Sequence, residues 1–374
     1  MTDENKKAPG AANPIKRRTF LAGAAAATAA TQLAITPRDA KAAGFPERPI
    51  TVVIMYSAGG GTDTMIRVLM DEMKKNTGWD INVINKPGAV GGVATNFLLD
   101  KPSDGYWWLG AANYNKFVRV MGHAESRAWE DWQYFQGGNS LGAWSVRPDS
   151  PFKTFDDVVK AAKANPGKIS ISTSGTGGLW QELALIVGNQ AGIELKYVPY
   201  KGGKPATLAG LQGEVDIAGG GVHEHIDFVR AGKLRMLQQT GSKDIEVPGV
   251  GTLPSVGNLI PKIKPLLPLS GIYNLALRRD TPIEILKEVE KAWIAACDGE
   301  KFKDVVKKKY FEIDVRTGEA ADRRAALVET VTAATFWANQ DKIGKQVKSP
   351  EELGLPKPED FDKWWPPKGY KPVL

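Results

Sequence analysis

Ile50-Thr-Val-Val-Ile-Met-Tyr56, Ser57-Ala-Gly-Gly-Gly61 and Thr62-Asp-Thr-Met-Ile-Arg67 follow one another without a break. The first run is apolar and β-branched without alternation, the pattern of a strand covered on both faces. The glycines let the backbone turn sharply and approach a ligand closely. Thr62 suits an N-cap, and Ile66, Leu69, Met70 and Met73 recur at helical spacing. A strand is therefore expected to feed a bare glycine loop into a helix N-terminus. Free N–H groups and a partial positive charge there suit a carboxylate or another small anion. A tight turn between strand and helix with no ligand uses the same residues, so the rest of the chain has to decide.

The pattern continues on the C-terminal side. Ile81-Asn-Val-Ile84 reads as a second strand, Asn85-Lys-Pro-Gly-Ala-Val-Gly-Gly92 as a glycine-rich loop before a helix over 94–99, and Tyr106-Trp-Trp-Leu-Gly110 as a third strand. This alternation implies an α/β unit with a largely parallel sheet. A strand at Ala143-Trp-Ser-Val146 is expected to open a second unit that repeats the logic. There Ile169-Ser-Ile-Ser172 empties into Thr173-Ser-Gly-Thr-Gly-Gly178 ahead of a helix reaching Ala191, and the hydroxyls add donors for an anion. Val215-Asp-Ile-Ala218 precedes a third glycine run, Gly219–Gly221.

From about Leu269 the chain is expected to return to the first unit. Thr281-Pro-Ile-Glu284 reads as a capping box opening a helix with Leu286, Val289, Trp293 and Ala296 on one face, and a second helix is expected over 320–339. The Trp/Pro-rich end, including Trp364-Trp-Pro-Pro367, reads as a tail lying on the surface. The expected organisation is a leader over 1–42, a first domain from 43–142 and 269–374, and a second domain over 143–268.

The leader follows from Lys16-Arg-Arg-Thr-Phe-Leu21, an alanine-rich run to about Ile35, and Ala40-Lys-Ala42, which together read as a twin-arginine export signal with a cleavage site. Its removal takes away seven basic and three acidic residues, lowering the formal net charge from +7 to +3. That leaves no electrostatic footprint for nucleic acid. Cys297 is the only cysteine, so no intrachain disulfide is possible.

These pieces resemble one family. Phe45-Pro-Glu-Arg-Pro-Ile50, Ala58-Gly-Gly-Gly-Thr-Asp63 with Arg67, Asn85–Gly92, Pro102-Ser-Asp-Gly-Tyr106, Ala164-Asn-Pro-Gly-Lys168 and Val198-Pro-Tyr-Lys-Gly202 are similar, in order, to motifs of the TctC/Bug extracytoplasmic solute receptors of tripartite tricarboxylate transporters. The resemblance implies an α/β two-domain Venus-flytrap fold of type II-like periplasmic binding proteins, with mixed, mainly parallel sheets flanked by helices. It implies a periplasmic, monomeric receptor without cofactor or catalysis. Such a receptor holds a small organic carboxylate and hands it to membrane permease subunits. The resemblance puts the two glycine loops, near Gly59 and Ser174, in the cleft and Asp63 where it can select an amino or other polar substituent; the candidate ligand residues are Tyr56, Ala58, Gly59, Gly60, Asp63, Asn113, Ser174, Gly175, Thr176, Gly177, Trp180, Tyr200 and Gly220. Asp63 also fits the plain role of a first-turn helix acid. Two departures stand out. Gly178-Leu-Trp-Gln181 replaces the family's small serines and histidine, and Gly219-Gly-Gly221 stands where a polar residue is usual. Trp180 then either offers a flat face to an aromatic acid or packs in the core.

His223-Glu-His225 invites a metal reading if it lies on a strand, but no third ligand cluster accompanies it. No nucleophile elbow, dinucleotide loop or Walker sequence is present. An exported enzyme using the cleft and a ligand sensor for a signalling partner stay open as alternatives.

Overall fold

A computed structural model describes residues 44–374, and the export signal expected over 1–42 lies outside the described residues. The chain begins with β1 (Ile50–Ile54), α1 (Gly61–Thr77), β2 (Ile81–Asn85), α2 (Gly92–Leu99), β3 (Trp107–Ala112), α3 (Lys116–Val120), α4 (Ala128–Asp131) and β4 (Trp132–Val146). It continues through α5 (Phe155–Ala164), β5 (Ser170–Thr173), α6 (Leu179–Ala191), β6 (Lys196–Pro199), α7 (Gly203–Gln212), β7 (Ala218–Gly221), α8 (Val222–Arg230) and β8 (Arg235–Gln239). β9 (Ile245–Val247), β10 (Gly251–Leu253), α9 (Val256–Leu259), β11 (Ser270–Arg278), α10 (Ile283–Cys297), α11 (Glu300–Lys309), β12 (Phe311–Arg316) and α12 (Gly318–Trp337) complete the regular part.

β1 is buried as its composition dictates, and it pairs in parallel with β2 and β3. The sheet runs β12-β4-β11-β3-β1-β2 and turns antiparallel from β3 to β11 onward. β5 and β6 form a second parallel pair. The strand expected at Ala143–Val146 is the last part of a fifteen-residue strand. β4 pairs with β11 and β12 along its first part, and its end, Gly142–Val146, pairs with β7 and β8. Gly137 and Gly138 interrupt the apolar pattern and conceal this continuity in the sequence. Gly138 is needed there because a Cβ would lie 2.4 Å from the Glu312 carbonyl oxygen.

Two large apolar clusters flank β4. One joins β1, α1 and β3 to β11 and α10–α12 through Val53, Leu69, Trp108, Phe135, Leu275 and Trp293. The other gathers Trp144, Phe155, Ile171, Ala184, Ile217 and Leu237. A third, with Phe117, Met121, Trp180, Leu183 and Phe336, brings α3, α6 and α12 together. The tail lays Trp364, Trp365 and Tyr370 around Trp129, with ring centroids 5.6–6.1 Å away.

Three local expectations need correction. α1 starts at Gly61 with Gly60 as its N-cap and no side-chain cap, so Thr62 lies inside the first turn. α10 starts at Ile283 after Pro282, without a cap from Thr281, whose N–H donates to the Arg278 carbonyl at 3.1 Å. His223-Glu-His225 lies in the first turn of α8, not on a strand. No helix among the described residues is long and apolar enough to cross a membrane.

Candidate functional site

Gly59 takes φ +77°, a conformation glycine adopts without steric cost. Its N–H donates to Asp63 Oδ2 at 2.8 Å, while Asp63 Oδ1 accepts from Arg67 Nε at 2.7 Å and Asn85 Nδ2 at 2.9 Å. Arg67 Nη2 also donates to Asn85 Oδ1 at 2.7 Å. Asp63 is thus turned into its own loop and helix, where it is buried, and it does not line the cavity beside them. This corrects the ligand-facing role expected of it. From the third helical position its carboxylate reaches back to a loop N–H and forward to a residue one turn on, and those partners use both oxygens.

With Asp63 so engaged and no side chain capping α1, Gly60, Gly61 and Thr62 line a small cavity that is partly open to solvent. First-turn N–H groups have no intrahelical partner, so this end of α1 presents donors and positive potential to whatever the cavity holds. Tyr56, Asn113, Ser174 and Trp180 also line it. Asn113 begins a left-handed run with Tyr114 and Asn115, φ +55°, +52° and +57°. Such conformations cost about 1–3 kcal/mol each outside glycine and persist only when neighbours enforce them. Here Asn113 Oδ1 accepts from Ile272 N at 2.9 Å and Tyr114 N donates to Asn274 Oδ1 at 3.0 Å, both from β11.

The second glycine loop is more self-contained. Gly178 N donates to the Gly175 carbonyl at 2.9 Å, Gly177 N to Gln181 Oε1 at 2.6 Å and Trp180 N to Ser174 Oγ at 3.4 Å. Neither α1 nor α6 has a side-chain cap on its N-cap residue; in the second loop the amides of Gly177 and Gly178 are taken by nearby residues, as that of Gly59 is in the first. Gly177 lies outside the cavity, and a Cβ on it would meet Met121 Sδ at 2.2 Å. Gly175, Thr176 and Tyr200 line an adjoining space of about 680 Å³ that shares Tyr56 and Ser174 with the cavity. Ala58 is exposed, and Gly59 borders a neighbouring space of about 630 Å³ with Lys204. Gly220 lies in β7 against His225 and Glu224 and does not line the cavity. Trp180 is 6% exposed, packing against Leu179 and Leu183 while one side borders the cavity.

Glu224 and Tyr273, which sequence reading did not place here, complete the wall with Gly203. Glu224 Oε2 accepts the Gly221 N–H at 2.9 Å, and its Oε1 lies 3.6 Å from His223 Nε2. Burial alone would raise the Glu224 carboxyl, but His223 and the Gly221 N–H outweigh it and hold the group below the usual carboxylate range. The glycine three residues ahead of the glutamate was the available sequence signal; Tyr273 carried none. Tyr273 Oη sits 2.8 Å from Ser140 Oγ, and burial keeps its phenol protonated. His225 points elsewhere, its Nδ1 2.8 Å from Ser145 Oγ, and burial pushes its imidazole down to about 4. The two histidines thus do not converge, and no group of three metal-ligating side chains occurs among the described residues. Glu224 is the one charged side chain lining the cavity among the described residues.

A model of the tripartite tricarboxylate transporter family receptor matches residues 65–333. The "UPF0065 protein in gbd 5′ region" of Cupriavidus necator is 34% identical over 306 residues, spanning 79% of this chain and 89% of that one. Among solved structures, Rpa4515 of Rhodopseudomonas palustris, described with adipate, superposes with a TM-score of 0.68 at 21% identity over 80% of this chain and 98% of its own. MatC of Rhodopseudomonas palustris, described with bound malate, superposes with a TM-score of 0.66 at 20% identity over 80% of this chain and all of its own. At these identities the structural likeness concerns the fold, an α/β two-domain periplasmic binding protein.

Proposed function

Since the chain belongs to the tripartite tricarboxylate transporter receptor family, whose members are periplasmic solute-binding receptors for small organic acids and not enzymes, we propose that it captures such an acid in the cavity beside α1 and delivers it to membrane permease subunits. The observation that carries this reading is the uncapped start of α1, with Gly60, Gly61 and Thr62 lining a cavity partly open to solvent. The adipate and malate named for the Rhodopseudomonas palustris proteins support a carboxylate. In this reading the ligand carboxylate accepts hydrogen bonds from the first-turn N–H groups of α1, and Asn113 and Ser174 line the same space. The lobes divide near Gly142 and Leu269, with residues 43–142 and 269–374 in one and 143–268 in the other, and ligand draws them together. The protein is exported by its twin-arginine leader, cleaved after Ala42, and works as a monomer.

The test is a thermal-shift screen of mono- and dicarboxylates, aromatic acids included, beside their methyl esters, with small-angle scattering on the hits. A bound acid at about 100-fold its dissociation constant stabilises the native state by roughly 2.7 kcal/mol, while the ester shifts the melting point little. Equal shifts from acid and ester would refute recognition through the helix terminus.

A further inference from the structure

We infer that the segment after α12 is a strap that limits how far α6 parts from α3, and so holds Ser174 and Trp180 near the start of α1 before an acid is captured. The inference rests on the two-lobe receptor reading, with α3 and α12 in one lobe and α6 in the other, and adds a restraint on its opening. The family model ends at residue 333, ahead of this segment. The segment meets both lobes in quick succession. Asn339 Oδ1 accepts from Asn189 Nδ2 of α6 at 3.0 Å, and Lys342 Nζ donates to Asn189 Oδ1 at 2.7 Å. Just beyond, Lys345 Nζ donates to the Met121 carbonyl at the end of α3, Arg119 of α3 donates to the Leu353 carbonyl, and Lys348 Nζ lies 3.5 Å from Glu125 Oε1. Exposed polar ties are weak singly. The firmer grip comes from Ile343, Val347, Leu353 and Leu355, buried in one apolar cluster with Phe117 and Met121 of the first lobe and Trp180 and Leu183 of the second.

The far end of the segment is fixed on the first lobe. Trp364, Trp365 and Tyr370 enclose Trp129, Tyr370 Oη donates to Asp322 Oδ2 at 2.8 Å, and Arg279 Nη2 donates to the Lys371 carbonyl at 3.1 Å. Held by α12 at one end and by this cradle at the other, the strap cannot fray from α6 as a loose terminus does. The place it grips is coupled to the cavity. A Cβ on Gly177, in the loop that carries Ser174, would lie 2.2 Å from Met121 Sδ, so that loop presses on the residue whose carbonyl the strap holds. Trp180, in the first turn of α6, belongs to the same apolar cluster and lines the cavity with Ser174. Parting α6 from α3 therefore draws the apolar side chains of the strap into water and carries Ser174 and Trp180 away from α1. The two helices also share the ion pair of Lys116 and Glu182, with side chains 9% and 3% exposed, which keeps its strength only while water is excluded.

The experiment compares wild type, Val347→Ser/Leu353→Ser/Leu355→Ser and Trp365→Ala, all without ligand, by small-angle scattering and by amide hydrogen exchange over α3 and α6. The triple variant should be more expanded than wild type and should exchange α3 and α6 amides about tenfold or more faster. Trp365→Ala, which loosens only the part lying on the first lobe, should lower the melting point without either change. Unaltered scattering and exchange in a folded triple variant, or equal opening in Trp365→Ala, overturns the strap. Should the triple variant not fold, Asn189→Lys sets a like charge beside Lys342 at the surface and should speed α6 exchange about threefold; an unmoved rate overturns the inference. Binding is read separately with adipate and malate on wild type. If neither these nor any other acid of the thermal-shift screen binds, the receptor reading falls, while the comparison made without ligand still decides the strap.

Discussion

Glu329 is fully buried in α12, with Oε1 3.5 Å from Arg119 Nη1 and no partner for Oε2 among the described residues. Burial drives its carboxyl up to about 7, and Arg119 offsets only part of that. Between the ordinary glutamate range and about 7 the folded state therefore binds more protons than the unfolded chain, so this group lowers stability as pH rises through that window. Scanning calorimetry of wild type and Glu329→Gln should show the melting point of the variant gaining on wild type from pH 5 to pH 8. A pH-independent difference would contradict the assignment. Asp63 is a buried acid with three donors in place. Asp63→Ala removes one acceptor from each of Arg67 and Asn85 and frees the glycine loop, so denaturant unfolding should show a loss of about 1–3 kcal/mol. A change in ligand preference at unaltered stability would mean instead that Asp63 faces the ligand.

Helix α7 meets β7 so closely that a Cβ on Gly210 would lie 2.3 Å from Ala218 Cβ and 2.7 Å from its Cα. The obstacle is backbone and cannot swing aside. Gly210→Ala should cost about 1–3 kcal/mol or more despite the higher helix propensity of alanine. Because α7 begins at Gly203, beside Glu224, the same substitution should weaken ligand binding, which calorimetry would register; unchanged stability would show that the two elements slide freely. Helix starts also show what local signals can and cannot decide. Thr154 accepts from Asp157 N at 3.2 Å while its own N–H donates to Asp157 Oδ2 at 2.9 Å, a complete capping box. Thr281-Pro-Ile-Glu284 has matching spacing but forms none, because the Thr281 N–H is turned back onto Arg278 as the chain leaves β11.

Across the molecule, β4 and a buried ion pair join parts that bear on the cavity. Lys116 Nζ on α3 donates to Glu182 Oε2 on α6 at 2.8 Å, and Thr332 Oγ1 on α12 donates to Glu182 Oε1 at 2.5 Å. Burial depresses the Lys116 amine, with Glu182 opposing it. Lys116→Met alone strands a buried carboxylate and should lose about 3–5 kcal/mol, whereas the Lys116→Met/Glu182→Met pair should recover most of that. A double-mutant cycle by chemical denaturation checks this, and strictly additive losses would show that the pair is not coupled.

The sequence by itself determined the local units. Ile50–Arg67 and Ile169–Ala191 each spell strand, glycine loop and helix, because apolar run length, glycine and helical spacing act within a few residues of one another. It also carried the family motifs. Tertiary structure alone decided which groups face the cavity. Asp63 turns inward because Asn85, on a neighbouring strand, and Arg67 supply donors that solvent or a ligand would otherwise provide. Glu224, Gly203 and Tyr273 meet at α1 from segments far apart in the chain. β4 bridges both large apolar clusters because pairing with β11, β12, β7 and β8 holds an extended path across glycines that have little strand preference of their own. Side-chain direction and strand continuity are set by such long-range competition for partners and burial, which no window of adjacent residues contains.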